Sequence, residues 1–273
     1  MSGLDNIASV FKSTHAAGRA ALMPYFTLGF PDKWSSIEII EAVASSGADL
    51  IELGIPFSDP LADGPTIQRS TQIALEQGTT VAGCLEMTAE LRSRGVGQPL
   101  ILMGYVNPIL SFGVEQFVAE ASSAGADGFI VPDLPPEEAG EMQAACLKYG
   151  RALILMLAPT STPARFTTVI ERGAGFLYLV SLVGVTGARS ELPSGLQEFV
   201  KRVRDLTAIP LAVGFGVSTP EQAQAVGAFA DGVIVGSALI NAVEGAEDLP
   251  RAAASYVGDL RSALEISRDP GGR

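Results

Sequence analysis

Histidine and cysteine are almost absent from this chain: His15 is the single histidine, and Cys84 and Cys146 are the only cysteines in 273 residues. One histidine excludes a histidine-based triad and any His-rich metal site; His15 itself, in the N-terminal helical region, reads as a surface or capping residue. Two cysteines cannot build a disulfide framework or a zinc cluster, and they read as buried free thiols of a reducing compartment. Charge is also scarce, at 18% of residues, and it is mostly negative, giving a net charge of −12. So few charges on so apolar a chain exclude a solvated disordered protein. Their sign disfavours nucleic acid and acidic membrane surfaces as partners. No apolar run approaches the ~18 residues of a membrane span. Asp5 and Lys12 interrupt the N-terminal MSGLDNIASVFKS, so no secretory leader is expected and a cytoplasmic location is. There is no P-loop, and no GxGxxG after the first strand pattern, so nucleotide chemistry lacks support.

What the chain has is aliphatic sequence in short runs. It is 47% hydrophobic, enough for a large core, and α/β barrels of this length run as one domain. Leu22–Leu28, Asp49–Leu53, Leu100–Met103, Gly128–Val131, Ala152–Leu157, Phe176–Val180, Leu211–Val213 and Gly232–Val235 read as eight strands. The runs are continuous rather than alternating, which points to burial on both faces and a parallel sheet. Helical spacing fills the intervals at Trp34–Ser45, Val114–Ala124, Pro136–Lys148, Pro163–Arg172, Gly195–Leu206 and Pro220–Val226. Eight βα units without a linker predict an α/β fold of the (β/α)8 or TIM-barrel type, one domain over residues 1–273. Ile7, Val10 and Phe11 place an extra N-terminal helix over Leu4 to Ala17, closing the barrel bottom. Ala246 to Leu264 supplies the last barrel helix, and the polar stretch from Ser267 to Arg273 reads as frayed.

A short echo accompanies the repeats. GADLIEL at Gly47, GADGFIV at Gly125, GAGFLYLV at Gly173 and ADGVIV at Ala230 each leave a helix and enter a strand. Glycine suits the helix end because a positive φ costs it little, although a common αβ-loop solution explains the echo as well as a repeated unit does. Asp49, Asp127 and Asp231, at the strand starts, read as structural. Glu137 and Glu138 are expected in the first turn of a helix, where negative charge is favoured.

The most informative stretch is LIELGIPFSDPLADGPTIQR, from Leu50 to Arg69. Its strand spends a glutamate, Glu52, among aliphatic neighbours, where an unpaired charge is costly. The loop that follows, stiffened by Pro56, Pro60, Gly64 and Pro65, adds Asp59 and Asp63. Two carboxyls in different settings are the raw material for separate acid and base roles. In a (β/α)8 barrel, chemistry sits at the C-terminal strand ends. There the chain also places Tyr105 in Gly104–Pro108, Tyr178 in the sixth strand, Gly184 to Gly187 after it, Gly214-Phe215-Gly216 after the seventh and Gly236-Ser237 after the eighth. Glycines on three adjacent loops, with a short helix starting at Ser237, form a pattern for a phosphate site that needs no Lys or Arg.

IELGIPFSDPLADGPTIQ, from Ile51 to Gln68, resembles the signature of the tryptophan synthase α subunit family. The likeness extends in order through Pro24–Gly29, Met103–Pro108, Val131–Pro135, Ser181–Ala188, Gly214–Val217 and Gly236–Ser237, nearly the whole chain. It implies a (β/α)8 barrel that splits indole-3-glycerol phosphate into indole and glyceraldehyde 3-phosphate by a retro-aldol cleavage. It also implies a β subunit as partner in an α2β2 heterotetramer, with indole passing through a tunnel. The pyridoxal phosphate belongs to that partner, so no cofactor and no metal is expected in this chain. Residue by residue, the resemblance makes Glu52, Asp63 and Tyr178 catalytic. It assigns Gly187, Phe215, Gly216, Gly236 and Ser237 to the phosphate, Tyr25, Met103 and Tyr105 to the indole pocket, and Thr186 to closing a lid and orienting Asp63.

Where some members carry Arg before GVTG, this chain has Leu182 and Val183. The departure bears on lid dynamics and coupling, and leaves both carboxyls in place. The partner surface is expected at the site rim, around Asp59, Pro60, Asn107, Pro108, Leu134 and Pro135. An isomerase of histidine biosynthesis is disfavoured because Thr27-Leu28-Gly29 and Leu157-Ala158-Pro159 end strands one and five without Asp. A free-standing indole-releasing lyase and a non-catalytic barrel that only activates a β subunit remain as alternatives.

Overall fold

The structure, a computed structural model, describes residues 2–180, 194–214 and 216–265. Its strands are β1 (Ala21–Thr27), β2 (Ile51–Gly54), β3 (Leu100–Met103), β4 (Gly128–Ile130), β5 (Ala152–Leu157), β6 (Leu177–Val180), β7 (Leu211–Gly214) and β8 (Gly232–Val235). Each pairs in parallel with the next, and β8 returns to β1, so the sheet closes into a barrel in sequence order. Nearly every strand residue is buried, as the unbroken apolar runs require for a sheet filled inside and covered by helices outside.

Helices α1 (Gly3–Ala16), α2 (Lys33–Ser45), α3 (Pro65–Glu76), α4 (Val81–Ser93), α5 (Val106–Phe112) and α6 (Val114–Ala124) accompany the first four strands. Helices α7 (Gly140–Lys148), α8 (Pro163–Arg172), α9 (Leu196–Arg204), α10 (Pro220–Gly227), α11 (Ser237–Val243) and α12 (Leu249–Glu265) complete the set. Local chemistry sets their starts. The Ser2 hydroxyl and Asp5 carboxylate form a capping box on α1, and the Asp32 carboxylate accepts from the Trp34 and Ser35 N–H groups at α2. Helix α1 is the extra helix, and His15 near its end is exposed. It is pinned under the barrel by Asn6, whose side-chain amide donates to Asp127 at 2.7 Å.

Three details differ from the sequence reading. The β2–β3 and β3–β4 connections each hold two helices, and α3 carries Ile67 to the cavity wall. Helix α7 starts at Gly140, not Pro136, because the guanidinium of Arg172 donates to the Pro136 carbonyl at 2.7 Å and takes it out of a helical ladder. Glu137 therefore lies in a preceding turn, where it pairs with Arg165 at 2.9 Å. Finally, Gly47 and Gly125 do have φ of 106° and 99°, but Gly173 is at −67°. Space, not handedness, requires glycine there: a Cβ would crowd Leu177 and the Val169 carbonyl.

The echo has a structural meaning at the N-terminal end of the barrel. Asp49, Asp127 and Asp231 each donate a backbone N–H to the carbonyl of the first or second residue of a neighbouring strand: Leu22, Leu100 and Leu211. Each carboxylate accepts from the N–H of that same leucine, at 2.8, 3.0 and 2.9 Å. Each is also held by an arginine: Arg19, Arg92 and Arg204. Asp127 is 2% exposed, so its compensation is complete only through these partners. The segment at Gly173 has no aspartate and lacks the clamp.

Candidate active site

Side chains from five strands converge at the opposite, C-terminal end. Tyr25 (β1), Glu52 (β2), Met103 (β3), Tyr178 (β6) and Ile234 (β8) line one cavity. Tyr25 and Glu52 are register partners across β1 and β2. The loop after β2 brings Asp63 to the same cavity, and the segments after β7 and β8 bring Gly216, Gly236 and Ser237.

Glu52 is 1% exposed, and neither carboxyl oxygen has a hydrogen-bond partner among the described residues. Burial without a donor disfavours its ionised form and pushes its pKa up to about 8. Asp63 is 9% exposed and differently placed. Burial raises its pKa to about 6, and the Tyr105 hydroxyl, donating to Oδ2 at 2.9 Å, opposes that rise. One carboxyl is thus mostly protonated at neutral pH and the other mostly ionised.

The Asp63 loop is stapled at several points. The Tyr105 hydroxyl accepts from the Ala62 N–H at 3.0 Å while donating to Asp63. The Gln68 side-chain amide donates to the Asp63 carbonyl at 2.8 Å, and the Asp63 N–H donates to the Pro60 carbonyl. Tyr105, expected among the indole-pocket residues, does not line the cavity; it reaches the site through Asp63 and packs its ring against Phe57.

Tyr25 stands at the end of a hydroxyl relay that the sequence did not disclose. Thr27 and Ser70 lie 2.8 Å apart, and Ser70 donates to the Ile67 carbonyl. Each hydroxyl has one proton, so Thr27 donates to Ser70, and Tyr25, 3.4 Å from Thr27, is left as donor on its side. The lone pairs of the Tyr25 oxygen remain for the cavity. Two glycines make room for the phenols: a Cβ on Gly54 would collide with the Tyr25 hydroxyl, and one on Gly214 with that of Tyr178. Burial raises the pKa of both tyrosines well above the usual value, and the charges of Glu52 and Asp63 add to it.

Helix α11 begins at Ser237 behind Gly236, with no side-chain cap on its first N–H groups. Thr186 and Gly187, together with Leu182 and Gly184, lie outside the described residues, as does Phe215. Leu61, on the loop after β2, is 90% exposed, and Leu110, on α5, is 54% exposed. Neither stood out in the sequence, where one leucine in a loop and one in a helix carry no mark of exposure. Among the described residues, no helix is long and apolar enough to cross a membrane.

A closed eight-stranded barrel with two unlike buried carboxyls in its C-terminal cavity defines a (β/α)8-barrel enzyme of the acid–base kind. The family model for the tryptophan synthase alpha chain matches residues 11–265. The chain is 50% identical over 263 residues to the tryptophan synthase alpha chain of Chloroflexus aurantiacus, covering 96% of this chain and 99% of that one. It is 46% identical over 263 residues to that of Geobacter sulfurreducens, with the same coverage. Among solved structures, Mycobacterium tuberculosis tryptophan synthase superposes with a TM-score of 0.89 at 40% identity, covering 95% of this chain and 98% of that one. The alpha subunit from Legionella pneumophila gives 0.89 at 37% identity, with the same coverage. The chain belongs to the tryptophan synthase alpha chain family. The alpha subunit cleaves indole-3-glycerol phosphate, so the chain is a carbon–carbon lyase of tryptophan biosynthesis.

Proposed function

We propose that Glu52 and Asp63 are the acid–base pair of this cleavage, and that the observation carrying this reading is their unlike setting in one cavity, Glu52 buried without a hydrogen-bond donor and Asp63 held by the Tyr105 hydroxyl. The bond to break joins indole C3 to a carbon bearing a hydroxyl. Neutral Glu52 gives its proton to indole C3, which makes the ring a cation able to accept the bonding electrons. The carboxylate so formed takes the hydroxyl proton, the C–C pair returns to the indole ring, and the aldehyde forms. Glu52 ends as it began. Asp63 stays ionised and accepts from the indole N–H, opposing the positive charge that grows there. Tyr178 orients the hydroxyl. Tyr25 and Met103 pack against the indole.

Gly216, Gly236 and Ser237 hold the phosphate by backbone N–H groups and the start of α11, joined by Phe215 and Gly187, while Thr186 belongs to a closing loop. That arrangement lets an anion bind to a chain of net charge −12 with no lysine or arginine among the described residues of the cavity wall.

The chain works as a single domain over residues 1–273, in the cytoplasm, with a β subunit in an α2β2 heterotetramer. Exposed Leu61, on the loop after β2, and Leu110, on α5, support a docking face that also takes in the Asp59–Pro60, Asn107–Pro108 and Leu134–Pro135 positions. Pyridoxal phosphate belongs to the partner. The test is indole release from indole-3-glycerol phosphate, with and without β subunit, for wild type, Glu52→Gln and Asp63→Asn. Both variants are expected to bind substrate and lose nearly all turnover. Near-wild-type turnover by either would overturn its assigned role.

A further inference from the structure

A second hollow lies at the other end of the barrel, between α1 and the N-terminal ends of β6 to β8. It is a half-open hollow of about 400 Å³, within the roughly 300–1,000 Å³ typical of small-molecule sites. Its charge is the reverse of the rest of the molecule. Among the described residues, the active-site cavity presents two carboxyls and no cation. This hollow presents Lys12, Arg19 and Arg204 against one carboxylate, Asp231, on a chain of net charge −12. Asp231 is already engaged, by the Arg204 guanidinium and by the Leu211 N–H. Arg19 is bound through both terminal nitrogens to Asp49. Lys12 makes no hydrogen bond or ion pair among the described residues. Its neighbour one turn on, His15, lines the same hollow.

The remaining walls are apolar. Phe11 is fixed by its ring contact with Phe176 at 5.7 Å, and Ala8, Ala208 and Pro210 continue the surface. One unengaged ammonium over an apolar floor suits a single anionic group on a flat hydrophobic body. A dianion would leave charge uncompensated, and a neutral hydrocarbon would leave Lys12 without a partner.

We propose that this hollow is a second binding site, separate from the catalytic cavity, for a small aromatic carboxylate whose anionic end meets Lys12. Because α1 forms one wall and the strand starts the other, an occupant fastens α1 to the barrel.

The single histidine makes the test direct, since its ring protons are the only imidazole signals in the NMR spectrum. Benzoate is titrated into the full-length protein, with inorganic phosphate present throughout to occupy the catalytic cavity. The expected result is a saturable shift of the His15 signals at millimolar benzoate, weakened at least about tenfold in Lys12→Glu, a loss of about 1.4 kcal/mol in binding. Lys148→Glu, on the distant helix α7, should leave it unchanged. No saturable shift, an equal shift from chloride at the same ionic strength, or an undiminished shift in Lys12→Glu would each overturn the proposal.

Discussion

The hydroxyl of Tyr105 donates to Asp63 at 2.9 Å while accepting from the N–H of Ala62, so one phenol holds both the cavity carboxylate and the backbone beside it. It stabilises the ionised form of Asp63 against the cost of burial. Tyr105→Phe is expected to raise the pKa of Asp63, moving the acid limb of the kcat/KM profile to higher pH. A hydrogen bond to a charged group contributes about 1.5–3 kcal/mol, about one to two pKa units, so kcat/KM at neutral pH should fall by about two- to fifteenfold. A pH profile with an unmoved acid limb would show that the phenol only packs.

For wild type, kcat/KM should be bell-shaped. Activity needs Asp63 ionised, above about 6, and Glu52 protonated, below about 8. Rates measured from pH 5 to 9 with saturating β subunit check this, and a flat profile across that window would contradict the assignment.

Glu52 should make the folded chain less stable as pH rises. Its pKa is raised on folding, from about 4.5 to about 8, so the folded state holds the proton over a range where the unfolded state has released it. Stability is therefore full below about 4.5 and declines until pH passes about 8. Glu52→Gln removes the titration. Denaturant melts should show the variant gaining on wild type across this window, by on the order of 4–5 kcal/mol in total. A pH-independent difference would mean that the carboxyl is solvated.

Gly54→Ala should impair turnover with little loss of fold, because the added methyl displaces the Tyr25 hydroxyl rather than backbone. Thermal melts and kcat/KM measure both, and a wild-type kcat/KM would show that the Tyr25 ring yields without consequence for turnover.

Asp127→Ala should cost about 3–5 kcal/mol, the typical effect of stripping one partner from a buried ion pair. It leaves Arg92, the Leu100 N–H and Asn6 without their acceptor. Thermal melts measure it, and a loss under about 1 kcal/mol, the scale of exposed pairs, would show the clamp to be solvent-screened.

The barrel was legible because its strands are continuous aliphatic runs, and three of them, Leu100–Met103, Ala152–Leu157 and Gly232–Val235, have the expected ends. Glu52 and Asp63 were legible because a charge in an apolar strand and a proline-stiffened acidic loop both need explaining. What escaped depends on contacts distant in sequence. Tyr105 meets Asp63 across 42 positions, and Thr27 meets Ser70 across 43. The start of α7 is set by Arg172, on a different helix. No local pattern encodes such pairings, and short helices such as α5 have too few turns for periodicity to register.

The three aspartate clamps all lie at the end of the barrel away from the cavity. Foundation and workshop are therefore at opposite poles. The catalytic pole can keep an uncompensated acid, two crowded phenols and open loops because the strands are bolted together beneath it. Remodelling the upper loops for a new substrate leaves those bolts untouched, whereas a substitution at Asp49, Asp127 or Asp231 unfastens one pair of neighbouring strands beneath the cavity.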